Sequence, residues 1–79
     1  MVNIKSINNV MKNNYNSEIE FIHIEEGEKD DENTTLWLAI LLENGLQKSI
    51  EYQYDNNEPC QYGYNIYEFD PTLYKNLFK

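Results

Sequence analysis

The sequence predicts a single α+β domain, a four-stranded antiparallel meander in the order α-β-β-β-β-α, with an N-terminal and a C-terminal helix packed on one face. Three observations carry this. Asn44-Gly45 separates two apolar runs, the strongest short-range signal for a β-hairpin. Ile4, Ile7, Val10/Met11 and Tyr15 recur at helical spacing. Asp70-Pro71 precedes Leu73, Tyr74, Leu77 and Phe78, which reads as the N-cap and first position of a helix with one apolar side. At 79 residues the chain has material for one small core.

Taken in order, residues 3–15 form the first helix, with Asn3 available as its cap. Beyond that cap, Asn8, Asn9, Asn13 and Asn14 give it little intrinsic propensity, so it must be held by packing. Residues 18–25 read as a strand with apolar groups on both faces, or with a bulge near Phe21–Ile22 that shifts the phase. Residues 27–33 are a charged loop. Residues 34–43 and 46–54 then form the hairpin, with Asn44 and Gly45 as a two-residue type I′ turn and Glu43 facing Leu46. In that register Leu41, Ala39, Trp37 and Thr35 meet Lys48, Ile50, Tyr52 and Tyr54 on the core face. The other face opposes Leu36, Leu38, Ile40 and Leu42 to polar residues, leaving an apolar stripe to be covered by another element or another chain. The rival for 34–43 is a helix capped by Thr34 and ended by Gly45; the strand is preferred because of the turn signal. Residues 61–69 alternate as a fourth strand, and residues 71–79 close the chain as a helix carrying Lys75 and Lys79.

Charge narrows the function classes. There are 14 acids, 6 Lys and no Arg, for a net charge of -8. Nucleic-acid affinity comes mainly from neutralising phosphates, and Arg is the usual donor to base edges, so direct DNA or RNA binding is not expected. Anionic membrane surfaces are disfavoured on the same ground. No apolar run reaches membrane-spanning length and no signal-peptide h-region is present, so a cytoplasmic location is expected. A basic protein surface is the favoured partner. The charge is uneven: residues 18–32 hold eight acids against Lys29, whereas residues 1–17 and 71–79 are each net positive.

Little in the chain suggests catalysis. His23 and Cys60 are the only residues of their kinds. A nucleophilic pair would need them within hydrogen-bond reach beside an orienting group, and no flanking motif supports that. They read instead as an ordinary strand residue and an edge or loop residue. One His and one Cys cannot supply a structural zinc site. The acidic block lacks the Gly and Glu of an EF-hand loop at either starting point, so no metal or other cofactor is expected.

The residues expected to bind a partner are Glu25, Glu26, Glu28, Asp30, Asp31 and Glu32 by charge, with Tyr62 and Tyr64 as anchors. In size, charge and composition the chain resembles small acidic inhibitors of phages and mobile elements: anti-CRISPR and anti-restriction proteins, DNA mimics, antitoxins and immunity proteins. No alignable motif carries that resemblance. It implies a non-enzymatic inhibitor that occupies a basic, nucleic-acid-binding site on another protein. The alternative is a small homo-oligomeric structural or regulatory protein, dimerising through Leu36, Leu38, Ile40 and Leu42.

Overall fold

The structure, a computed structural model, describes residues 2–77. An N-terminal helix α1 (Ile4–Tyr15) leads into four strands, β1 (Ile19–Lys29), β2 (Asn33–Leu42), β3 (Gln47–Asp55) and β4 (Glu58–Glu68), followed by a 3-10 turn at Pro71–Leu73. The strands form one antiparallel sheet in the order β1-β2-β3-β4, the expected meander.

Asn3 caps α1, its side chain accepting from the Ser6 amide (3.0 Å), and the helix ends at Asn16 in the left-handed conformation (φ 53°). Asn8 ties the helix to the sheet by accepting from the Ile19 amide (2.8 Å). A register shift between Ile19 and Phe21 brings Ile19, Ile22 and Ile24 onto the sheet face that α1 covers. Phe21, His23 and Glu25 take the opposite face.

The hairpin register differs from expectation by one residue. The Leu42 amide donates to the Leu46 carbonyl (2.9 Å) and the Gly45 amide to the Leu42 carbonyl (2.9 Å), enclosing the three residues Glu43, Asn44 and Gly45. Gly45 takes a positive φ (91°) and Asn44 does not, so the turn is not type I′. A three-residue loop with glycine in the left-handed position is the next most common hairpin connection. Leu38 consequently pairs with Ile50, Leu36 with Tyr52 and Ile40 with Lys48. A one-residue slip exchanges the faces.

This overturns the proposed oligomer surface. Leu38, Ile40 and Leu42 are fully buried beneath α1, in one core with Ile7, Met11, Ile50 and Tyr52, and Leu36 packs against that core. Of the two covers expected for this face, another element or another chain, the structure supplies the first, the chain's own helix. Trp37, Ala39 and Leu41, expected in that core, lie on the other face.

That other face is crossed by the C-terminal segment, and here too the expectation is corrected. Asp70 caps the turn as anticipated, accepting from the Thr72 amide (2.9 Å), and Pro71 stands at its start. The helix does not continue: Tyr74 is extended (φ -123°, ψ 104°). Its ring lies buried against the sheet, with its hydroxyl donating to the Leu38 carbonyl (2.8 Å) and sharing a hydrogen bond with Ser49 Oγ (2.9 Å). Burying that aromatic outweighs the propensity of four helical residues. The terminal elements therefore cover opposite faces of the sheet. Phe78 and Lys79, assigned from sequence to the C-terminal helix, lie outside the described residues.

Gly27 has a packing role. A Cβ there would stand 2.8 Å from Trp37 Cδ1, so the indole lies against bare backbone, and the ring also meets Tyr67 (centroids 5.9 Å apart).

Candidate protein-docking surface

In a meander, alternate connections emerge at the same end of the sheet, so the β1–β2 loop and the β3–β4 turn share one end. Asp30 shapes the loop, with Oδ1 accepting from the amides of Glu32 (2.8 Å) and Asn33 (2.7 Å), and its amide donating to the Asn33 carbonyl (3.0 Å). Those two amides hold the Asp30 carboxyl below its ordinary 3.8. Asp55 does the same for the turn, accepting from the Asn57 amide (2.8 Å).

Asn56 joins the two connections. Its amide donates to the Glu32 carbonyl (2.8 Å), its side-chain nitrogen to the Asp30 carbonyl (2.9 Å), and its side-chain oxygen accepts from the buried Thr34 hydroxyl (2.5 Å). One asparagine thus fixes Glu28, Asp30, Asp31 and Glu32 beside Asp55 and Glu58. These are six carboxylates at one end of the sheet, with Lys29 the cation among them. Asp31, Glu32 and Glu58 make no side-chain hydrogen bond among the described residues and stand exposed.

Sequence spacing groups these acids differently: Asp55 and Glu58 stand apart from the 25–32 block along the chain, and the meander brings their turn to this end. Glu26 pairs with Leu36 and stands on the α1 side of the sheet. Glu25 faces the C-terminal segment, with Oε2 accepting from the Asn76 amide (3.2 Å) and Oε1 from the Asn76 side chain (3.1 Å), and His23 Nε2 stands 3.3 Å from the same Oε2. Partial burial opposes ionisation of Glu25, but the Asn76 amide and His23 outweigh it and hold the carboxyl below its ordinary 4.5. Glu25 is an anchor for the chain terminus.

The two tyrosines also part company. Tyr62 stacks on Tyr52 (4.5 Å between centroids, 15° between planes), and its hydroxyl is hydrogen-bonded to Ser6 of α1. It is part of the packing under the helix. Tyr64, one step along the same face of β4, is exposed (42%).

His23 and Cys60 sit on β1 and β4, the two opposite edges of the sheet. Three strand spacings of about 4.8 Å separate those edges, so the pair cannot meet. Cys60 is exposed. His23 Nε2 is buried and lacks a well-aligned hydrogen bond even though the Glu25 carboxylate is close. No group of three metal-ligating side chains occurs among the described residues, and none of their helices is long and apolar enough to cross a membrane.

No family model, curated protein or solved structure matches this chain.

Proposed function

We propose that this chain is a non-enzymatic binding protein that docks its acidic end against the basic, nucleic-acid-binding surface of another protein and so inhibits it. The observation that carries the reading is the joining of the β1–β2 loop to the β3–β4 turn through Asn56, which presents six carboxylates from two parts of the sequence on one side. Carboxylates held on hydrogen-bonded turns lose less freedom on binding than carboxylates on a mobile segment. An array of them presents to lysines and arginines what a nucleic-acid backbone presents. The net charge of -8 and the absence of Arg direct the same surface away from nucleic acid itself.

Each exposed ion pair contributes only about 0–1 kcal/mol, so the array acts mainly by steering the encounter. The test uses a partner captured from the native host and identified by mass spectrometry, with binding kinetics followed at several salt concentrations. A variant carrying Glu28→Gln, Asp31→Asn, Glu32→Gln and Glu58→Gln removes charge and spares Asp30 and Asp55, which shape the backbone. Slower association and a flatter salt dependence are expected, together with competition by the partner's own nucleic acid. An unchanged association rate and salt slope would reduce the acidic end to a solvated loop.

A further inference from the structure

The two free edges of the sheet are not alike. β1 carries Glu20, Glu25, Glu26, Glu28 and Lys29, and its pairing with β2 is broken by two register shifts. Charges and bulges of this kind guard an edge against pairing with another chain. On β4 the bulge and the proline (Pro59) are confined to its start, and from Cys60 to Tyr67 it contains no charged residue. Beyond the irregular start at Tyr54/Asp55, its register with β3 is unbroken from Tyr62 to Glu68. In an antiparallel edge strand alternate residues turn their N–H and C=O outward, so this stretch offers a regular row of unpaired backbone groups. Among the described residues, no hydrogen bond from outside the sheet reaches the backbone of Glu58–Glu68.

We infer that β4 is a docking edge that receives an extended segment of a basic protein as a fifth strand. The occupant is chosen by charge. The neutral run is bracketed by Glu58 and Glu68, and the exposed Glu68 carboxylate meets Lys48 through Oε1 alone (2.6 Å), which leaves Oε2 to a partner. A second copy of this chain brings the same net charge of -8 and has no lysine on its own β4 to set against either glutamate. A segment with Lys or Arg at both ends satisfies both, while its backbone completes the ladder. The inference rests on the proposed function for the basic nature of the partner and adds the manner in which that partner is held.

The experiment follows backbone amide resonances of the full chain during titration with three nine-residue peptides. The first is Lys-Thr-Val-Thr-Val-Thr-Val-Thr-Lys; the second has Glu at both ends; the third is the first with alternate backbone nitrogens methylated. Saturable shifts and slowed hydrogen exchange across Tyr62–Glu68 are expected with the Lys-ended peptide. Its affinity should be about tenfold higher than that of the Glu-ended one, the ratio two exposed ion pairs supply, and methylation should abolish the effect. Shifts confined to residues 28–32 and 55–58, and indifferent to methylation, would overturn the edge inference and leave the reading of the acidic end standing. Equal binding of Lys- and Glu-ended peptides on β4 would overturn the basic occupant and weaken that reading with it. Protection of β4 without any peptide, growing with protein concentration, would assign the edge to a second copy and overturn the inference.

Discussion

Tyr74 is the residue on which one whole face of the sheet depends. Its ring is edge-on to His23 (centroids 6.1 Å apart) and stacked with Phe69 (6.0 Å), and its hydroxyl reaches the backbone of the central strand β2. Ser49, buried beside it, is a shared partner, because its Oγ also accepts from the Asp70 amide (3.2 Å). Removing the hydroxyl alone leaves Ser49 with that second contact, so Tyr74→Phe should lower the unfolding free energy by about 1–2 kcal/mol. Tyr74→Ala also removes the ring and should cost about 3–5 kcal/mol. Urea titrations monitored through Trp37, the single tryptophan, measure both. Equal stability of the Phe variant and the parent would show that the hydroxyl contributes no net interaction. Nothing in the sequence distinguished this tyrosine from the other six, since its partners are a main-chain carbonyl and a serine far away in the chain.

At the scale of elements, α1, the four strands and the meander were legible because periodicity and turn residues are local signals. The hairpin register was not, because Asn-Gly suits two turn geometries, and the choice between them is made by which face can be buried. A two-residue turn would have set Leu38 opposite Glu51; the three-residue loop sets it opposite Ile50 and closes a core under α1. The C-terminal helix failed for a related reason: its cap was present, but Tyr74 gains more against the sheet than its neighbours gain from a helical turn. The turn assignment has a simple test. Only Gly45 needs a positive φ, so Gly45→Ala should cost about 1 kcal/mol or more. Asn44→Ala loses one exposed hydrogen bond, from the Leu46 amide (3.0 Å), and should cost about 0.5 kcal/mol. Comparable large losses for both variants in denaturant titrations would instead indicate a turn with left-handed geometry at both positions.

At the scale of the whole molecule, the carboxylates divide into those that present charge and those that hold the chain together, and sequence spacing cannot separate the two. Glu25, Asp30 and Asp31 lie within seven positions, yet Glu25 holds the C-terminal segment, Asp30 shapes a loop and Asp31 stands free in solvent. What decides is the hydrogen-bond partner, which only the fold supplies. The division has a consequence for pH. Glu25 grips the C-terminal segment through the Asn76 amide and Asp70 caps the turn within it through the Thr72 amide, and both carboxyls are held below their ordinary values of 4.5 and 3.8. A lowered carboxyl contributes stability that is complete above its unfolded value and is lost as pH falls through the folded one. The segment should therefore stay docked at neutral pH and loosen below about pH 4, the ordinary carboxylate range. The apolar core under α1 contains no titrating carboxylate to drive its loss in the same step. Amide relaxation measured between pH 7 and pH 3 should show residues 70–77 becoming mobile while β2 and β3 remain ordered. A double variant, Glu25→Gln with Asp70→Asn, should remove most of this pH dependence, because amides still accept hydrogen bonds but do not titrate in that range. Loss of β2 and β3 order at the same pH as the terminal segment would show that the molecule melts as one unit and that the two carboxylates do not act as a separate clasp.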